Sequence, residues 1–311
     1  MGFFTPSYDK PGKGIDKDAP QKRSFFRFFD IFFRKFWKLI SVNLLYLIAS
    51  LPTLILVFWL SGIISGNILM AENVQLLLQN IADQTAQASG GDAAQTYNML
   101  LVSIDLIVRL GVSLLFMVLW GMGPATAGVT YIFRNYAKET HAWIWSDFVK
   151  TLKDNFKQSL VVFLIDVFSF IVLYNAFVVY GYMSGMMSAM RYIIVVIAFV
   201  YTLMHPYLYQ LMVTFEMKLK DLYRNALLFA IGKLPSNVLV TVILLLVHLG
   251  GAYFAAFYSG GYMIFALLVL LLLECLILLS FSGLLVNFNV YPKLKPLIPE
   301  EKKVKSLSEE D

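Results

Sequence analysis

The sequence predicts an all-α integral membrane protein: a helical bundle of six transmembrane helices in three hairpins, each preceded by a cytoplasmic amphipathic helix. Of its 311 residues, 59% are hydrophobic and only 14% are charged, compared with about 45–50% and about 25% in soluble domains. The apolar residues form blocks long enough to cross a hydrocarbon core of about 30 Å. Amphipathic segments precede alternate blocks, and this alternation predicts the three hairpins.

The N-terminal region is polar before it becomes aromatic. Residues 1–24 contain three prolines and no apolar core, so we expect a flexible cytoplasmic arm and no signal peptide. Aromatic and basic residues then mix from Phe25 to Trp37, with charges at spacings of three and four. This pattern predicts either an interfacial helix or a cytoplasmic extension of the first span.

The predicted membrane domain covers residues 25–290, and a charged cytoplasmic tail covers 291–311. Between the first two spans, 65–103 should form a connection with one short amphipathic turn. Near the end of the second span, Pro124 lies among small residues between Gly121 and Gly128. This predicts either a broken helix lining a substrate site or a kink at a tight helix crossing. The predicted spans are 39–64, 104–132, 159–180, 191–215, 235–257 and 262–290.

An internal repeat supports the hairpin arrangement. The segment Leu219–Leu227 aligns with Leu152–Leu160, 67 residues upstream, and an apolar run follows each. We therefore expect two equivalent surface helices, at 148–158 and 219–230.

The charges predict the topology. Of the 25 lysines and arginines, only Arg191 falls in the three connections on one side and only Arg109 falls within a span. The positive-inside rule then places both termini in the cytoplasm.

Three stretches resemble the YesL family: HPYLYQLMVTFEMKLKDLYRNALLFAIGKLP, GMGPATAGVTYIFRNYAKE and WSDFVKTLKDNFKQS. The resemblance covers roughly residues 25–290. It implies a multi-pass protein of the bacterial plasma membrane, mostly Gram-positive, with a domain of unknown function. Family genes tend to lie beside carbohydrate ABC importers, and no enzymatic residues are established. The connection between spans one and two is longer than the family pattern.

Ionisable residues within the spans are candidates for function, because charges in lipid are costly. Asp105 and Arg109 lie four residues apart and should pair. Counting helical rise from the inner membrane surface predicts a His248–Glu274 pair and permits a second pair of Asp166 with His205. These groups predict either a proton or substrate path or buried hydrogen bonds that fix helix packing.

The segment from Glu216 to Leu227 has features of a docking helix. Glu216, Asp221 and a terminal Leu-Pro match the spacing of the loop by which ABC permeases contact their ATPase, although the two alanines and the turn glycine of that loop are missing. Leu222, Tyr223 and Leu227 contribute to an apolar face that could meet a partner protein, the 148–158 helix or the membrane interface.

Several function classes are disfavoured. The single cysteine, Cys275, excludes a disulfide framework. The absence of metal-site spacings, nucleophile motifs and phosphate-binding glycine loops predicts no enzyme and no cofactor. The basic residues lie beside the membrane, so we expect no nucleic-acid partner. Three hypotheses remain: an accessory subunit of carbohydrate ABC import that binds importer subunits, a permease-like transporter, and a structural or lipid-organising protein. The oligomeric state is left open.

Overall fold

The computed structural model describes residues 24–257 and 263–298. Across these residues the regular structure is entirely helical, with fourteen α-helices and no strand. Six helical stretches are long and apolar enough to cross a membrane, which confirms the predicted all-α membrane bundle. The predicted arm at 1–23 and the end of the predicted tail at 299–311 lie outside the described residues. The six spanning stretches are Phe36–Leu69, Ala93–Leu119, Phe156–Tyr182, Met186–Met212, Leu234–Phe254 and Phe265–Leu297.

The first hairpin contains a helical connection where the sequence predicted mostly loop. An 18-residue helix follows the first span and buries Leu78 and Ala82. It ends at Gly90, whose φ of 70° requires the left-handed region that glycine tolerates. The Asp92 carboxylate then accepts a hydrogen bond from the Ala94 N–H at 2.8 Å and starts the second span. The helices are α1 (Ser24–Arg34), α2 (Phe36–Leu60), α3 (Gly62–Leu69), α4 (Glu72–Ser89), α5 (Ala93–Leu119) and α6 (Pro124–Lys138).

The second and third hairpins follow the predicted plan. A surface helix precedes each, and short π-helical segments interrupt both spans of the third hairpin. The second hairpin comprises α7 (Ile144–Asp154), α8 (Phe156–Tyr182) and α9 (Met186–Met212). The third comprises α10 (Leu219–Gly232), α11 (Leu234–Leu245), a π segment (Leu246–Gly250), α12 (Gly251–Phe257), α13 (Met263–Leu273), a second π segment (Glu274–Leu278), α14 (Leu279–Leu294) and a 3₁₀ turn (Lys295–Leu297).

A single non-helical residue joins each surface helix to its span. Lys35, Asn155 and Lys233 hold this position, with φ/ψ of −104°/13°, −106°/8° and −123°/32°. The three hairpins therefore share a similar backbone conformation at the joining residue, and two of them are the hairpins that the repeat related. The predicted alignment was wrong in register, because Leu152–Leu160 crosses its bend at Asn155 while Leu219–Leu227 lies wholly within α10. Apolar spacing alone cannot distinguish helix from bend.

Helix α6 is the buried centre of the bundle. Eleven of its fifteen residues are buried, and it packs against α2, α7, α8, α9 and α14. A Cβ on Gly128 would overlap the Phe148 ring, and one on Gly283 would overlap Phe133, so both glycines permit close helix approach. The candidate spanning helix Ala93–Leu119 begins and ends earlier than the predicted span 104–132, and the chain breaks before α6. The first and last spans also extend beyond their predicted bounds, to Leu69 and Leu297.

Candidate functional site: a polar centre at the helix break

The break between α5 and α6 places free backbone groups inside the bundle. Gly121 and Gly123 have φ of 87° and 62°, and Pro124 starts α6, where its missing N–H costs nothing. The Thr126 hydroxyl accepts the Met122 N–H at 2.5 Å. The Gly123 N–H donates to the Tyr209 hydroxyl at 3.2 Å. Side chains from within α6 and from α9 thus replace the lost helical bonds, as buried backbone requires.

The first buried pair lies beside this break. Asp166 on α8 and His205 on α9 are 0% and 2% exposed, and the Asp166 Oδ1 to His205 Nε2 distance is 2.7 Å. The Tyr201 hydroxyl donates to the same oxygen at 2.8 Å. The Trp120 indole stacks on the imidazole, with ring centroids 5.5 Å apart and planes within 11°. The Trp120 Nε1–H donates to the Thr202 hydroxyl at 2.9 Å, which fixes the indole.

The hydrogen-bond partners of His205 determine where its protons lie. Nδ1 is 2.9 Å from the Tyr201 carbonyl oxygen, which only accepts, so Nδ1 carries a hydrogen. At 2.7 Å, Nε2 and the Asp166 oxygen cannot both present lone pairs, so one more proton lies between them. The pair is either imidazolium with carboxylate or imidazole with carboxylic acid. In both forms the pair holds one proton more than a neutral histidine and an ionised aspartate hold together.

The second buried pair joins the two spans of the third hairpin. The His248 Nδ1 to Glu274 Oε1 distance is 2.6 Å, and the His248 Nε2 to Ser282 Oγ distance is 2.8 Å. His248 lies in the π segment Leu246–Gly250, and Glu274 opens the π segment Glu274–Leu278. Such bulges occur frequently at functional sites. The predicted His248–Glu274 contact is therefore present, but its role is still a prediction.

Asn43 on α2 holds the second π segment in place. Its amide donates to the carbonyl oxygens of Glu274 and Cys275 at 2.9 and 2.7 Å, and its carbonyl accepts the Ser280 N–H at 2.7 Å. The Ser280 hydroxyl donates to the Leu39 carbonyl at 2.8 Å. These bonds satisfy backbone groups that the π segment leaves outside the normal helical ladder.

A cavity of about 80 Å³ lies between the two pairs. It reaches His205 on one side and Ser282, the partner of His248, on the other. Hydroxyl and amide side chains also line it, including Thr126, Tyr209 and Asn287. This volume can hold several waters but is well below the roughly 300–1,000 Å³ of small-molecule sites. We call the two pairs, the helix break and this cavity the polar centre.

Tyr223 on helix α10 has a buried hydroxyl group. Its hydroxyl and Asp166 Oδ2 are both buried without a hydrogen-bond partner among the described residues. Burial raises the pKa of Tyr223, and the Asp166 carboxylate raises it further, whereas the Tyr201 hydroxyl lowers it. Buried groups of this kind commonly bind water. The Tyr223 hydroxyl is therefore buried inside the bundle, which the sequence did not predict.

Asp105 and Arg109 form the predicted pair, away from the polar centre. Arg109 Nε lies 2.8 Å from Asp105 Oδ2, and the Ser65 hydroxyl donates to Asp105 Oδ1 at 2.6 Å. The two side chains are 33% and 27% exposed. This geometry links α3 to α5 and fits a structural role.

The predicted docking face is only partly available. Leu222 is 0% exposed because α10 packs along α9, and not along the 148–158 helix. Leu222 was therefore wrong as a docking residue, since the bundle itself covers the apolar stripe of α10. Glu216, Asp221 and Leu227 are exposed.

Sequence reasoning missed several residues of the polar centre. Asn43 was detectable as an amide within an apolar run, and Tyr201 as a tyrosine one helical turn before His205. No sequence pattern distinguished Trp120, Ser282 or Tyr209, because hydroxyl and aromatic side chains are common in membrane spans. Among residues 24–257 and 263–298, no cluster of three or more His, Cys, Asp or Glu residues could hold a metal ion.

Comparison with known proteins finds a similarity over part of the chain. A family model described as a protein of unknown function, DUF624, matches residues 96–177. This stretch, about a quarter of the chain, includes the helix break and Asp166 but neither His205 nor the His248–Glu274 pair. The match supports the expected likeness to proteins of unknown function, and the YesL resemblance itself stays a prediction. No curated protein and no solved structure matches the chain.

Proposed function

We propose that the protein is a proton-linked transporter, the permease-like alternative among the three hypotheses. The observation that carries the proposal is that a buried histidine–carboxylate pair lies at a broken helix beside a small cavity, and that a second such pair contacts Ser282, which lines the same cavity. Ionisable groups inside membrane bundles mark proton and substrate paths. Broken helices at that depth form the binding sites of many transporters.

The Asp166–His205 pair is the proposed proton site. Its shared proton lies between a carboxylate and an imidazole, the two kinds of side chain that form proton relays in membrane proteins. Asp166 Oδ2 is buried without a partner among the described residues, so a water bound there can carry the proton onward. The cavity is too small for a sugar in this conformation. Transport therefore requires it to widen, and the glycines of the helix break provide the hinge.

Proton flux across a reconstituted membrane tests the proposal. Liposomes containing the purified protein, a trapped pH indicator and an imposed pH gradient should lose that gradient faster than empty liposomes. Asp166→Asn should abolish the difference. Asp105→Asn is the matched control, because it removes a carboxylate from a span without touching the polar centre, and it should leave the flux intact. Equal rates with the unaltered protein and with empty liposomes would refute the proposal.

The accessory-subunit hypothesis has support of a different kind. It rests on the YesL resemblance and on the exposed side of α10, where Glu216, Asp221 and Leu227 can reach a partner. The buried Leu222 counts against it. Copurification of importer subunits with the unaltered protein, and their loss with Leu227→Glu, would favour it over the transporter. If the Leu227→Glu protein still copurifies with the partner, this face does not take part in the interaction.

The charge distribution supports a plasma-membrane protein with both ends in the cytoplasm. A reporter fused after residue 90 should read as extracytoplasmic. A cytoplasmic signal from that fusion would show that the topology is the reverse of the one proposed.

A further inference from the structure

A second cavity opens on the outer surface of the bundle between α8 and α9. Its volume is about 270 Å³. Phe170, Leu173 and Phe177 line one wall, Val195 and Ala198 line the other, and Trp120 forms the floor. The Tyr174 hydroxyl at its edge accepts a hydrogen bond from Asn67 at 3.0 Å, and no charged side chain lines it. We call this cavity the lateral crevice.

The position of the lateral crevice identifies what surrounds it. Its walls lie within the two spans Phe156–Tyr182 and Met186–Met212, in the halves nearest the α8–α9 connection. Phe177 and Val195 on its rim are 42% and 49% exposed, so the crevice is open to the outside of the bundle. At this depth the surrounding medium is hydrocarbon. An empty apolar crevice would forfeit dispersion contacts that a hydrocarbon chain supplies.

We propose that the lateral crevice is a binding site for one lipid acyl chain, which ends against Trp120. The crevice lacks the charges that would select a headgroup, so the chain is the part recognised. Trp120 separates the crevice from the polar centre and is only 7% exposed. Trp120 stacks on His205. A bound chain therefore contacts the side of Trp120 opposite His205.

Quenching of Trp120 fluorescence by lipids with brominated acyl chains tests the proposal. The other tryptophans, Trp37, Trp59, Trp143 and Trp145, are at least 70% exposed and are replaced by phenylalanine to leave Trp120 alone. A matched variant retains only Trp59, which samples bulk lipid. Trp120 should be quenched despite its burial, and its quenching should saturate at a lower fraction of brominated lipid than that of Trp59.

Two substitutions that fill the crevice, together with a matched substitution outside it, provide the controls. Ala198→Phe occupies the crevice and should remove most of the quenching, and the smaller Ala198→Leu should reduce it in part. Ala189→Phe makes the same change at an exposed position of α9 outside the crevice and should have no effect. Asp166→Asn should also leave quenching intact, so this proposal can fail or succeed separately from the proposed proton function.

Three results would overturn the proposal. Trp120 could remain unquenched in fully brominated lipid, or its quenching could persist in Ala198→Phe. Alternatively, its emission could respond to the protein-to-lipid ratio and not to bromination, in which case a second copy of the chain covers the crevice.

Discussion

His248 Nδ1 lies 2.6 Å from Glu274 Oε1, and each residue belongs to a π-helical segment of its own span. The two segments are five residues long and form opposite sides of the same contact. A π segment costs regular hydrogen bonds, so its presence in both spans indicates that the contact and its surroundings compensate. Asn43 supplies part of that compensation.

Glu274→Gln should destabilise the protein by about 1–3 kcal/mol, because an amide replaces the carboxyl group that makes the buried hydrogen bond with His248. Thermal unfolding in detergent measures the change. His248→Gln and the double variant complete a cycle, and the double variant should cost less than the sum of the two single changes. Additive costs would show that the two side chains stabilise the bundle independently.

Asn43→Leu should cost about 2–4 kcal/mol, because it removes three buried hydrogen bonds to the backbone of the last span. Asn175→Leu is the matched control. Its amide bonds only to the Ile171 carbonyl in its own helix at an exposed position, so its loss should change the unfolding temperature little. Similar effects of the two substitutions would contradict the role given to Asn43.

Gly123→Ala should be among the most damaging of the small substitutions. Its φ of 62° with ψ of −124° is a conformation open essentially to glycine alone, and a Cβ would lie 3.2 Å from the Ser159 carbonyl oxygen. We expect a loss of about 2 kcal/mol or more in unfolding free energy. Gly111→Ala meets open space within α5 and should be neutral or stabilising. A stable, fully folded Gly123→Ala protein would rule out the strained break.

The link between α1 and α6 should depend on pH. Glu139 accepts hydrogen bonds from Arg27 at 2.9 Å and Arg34 at 2.6 Å. Partial burial raises the pKa of Glu139, but the bonds from Arg34 and Arg27 outweigh it, and the pKa lies below its usual value. A carboxyl pKa lowered by folding gives stability above the unfolded pKa that is lost as pH falls through the folded one.

Glu139→Gln should therefore destabilise the protein at pH 7 by about 1 kcal/mol or less, since the pair is partly exposed. The difference in unfolding temperature between the two proteins should shrink as the pH falls below the ordinary glutamate pKa of about 4.3 and disappear once it is below the lower pKa of the folded protein. A difference that stays constant to the lowest pH would mean that the carboxylate charge contributes nothing.

The sequence predicted the parts of the fold that apolar spacing and charge determine. Block length gave six spans, and helical rise brought His248 to the depth of Glu274. It could not predict where helix α5 starts, because helical spacing continues beyond the membrane into polar residues. The π segments also have no compositional signature. Leu222 and Tyr223 share an amphipathic face, and only packing decides that Leu222 is buried against α9 and that the Tyr223 hydroxyl is buried as well.

Nitrogen-15 NMR of the imidazole rings tests the central claim, the shared proton of Asp166 and His205, most directly. The protein has three histidines, and His205→Gln assigns the relevant signals. We predict a protonated Nδ1 and, at Nε2, a signal shifted by a proton shared with Asp166. In Asp166→Asn the Nε2 signal should move to the unprotonated position. An unprotonated Nδ1, or an Nε2 signal that Asp166→Asn leaves unchanged, would contradict the account.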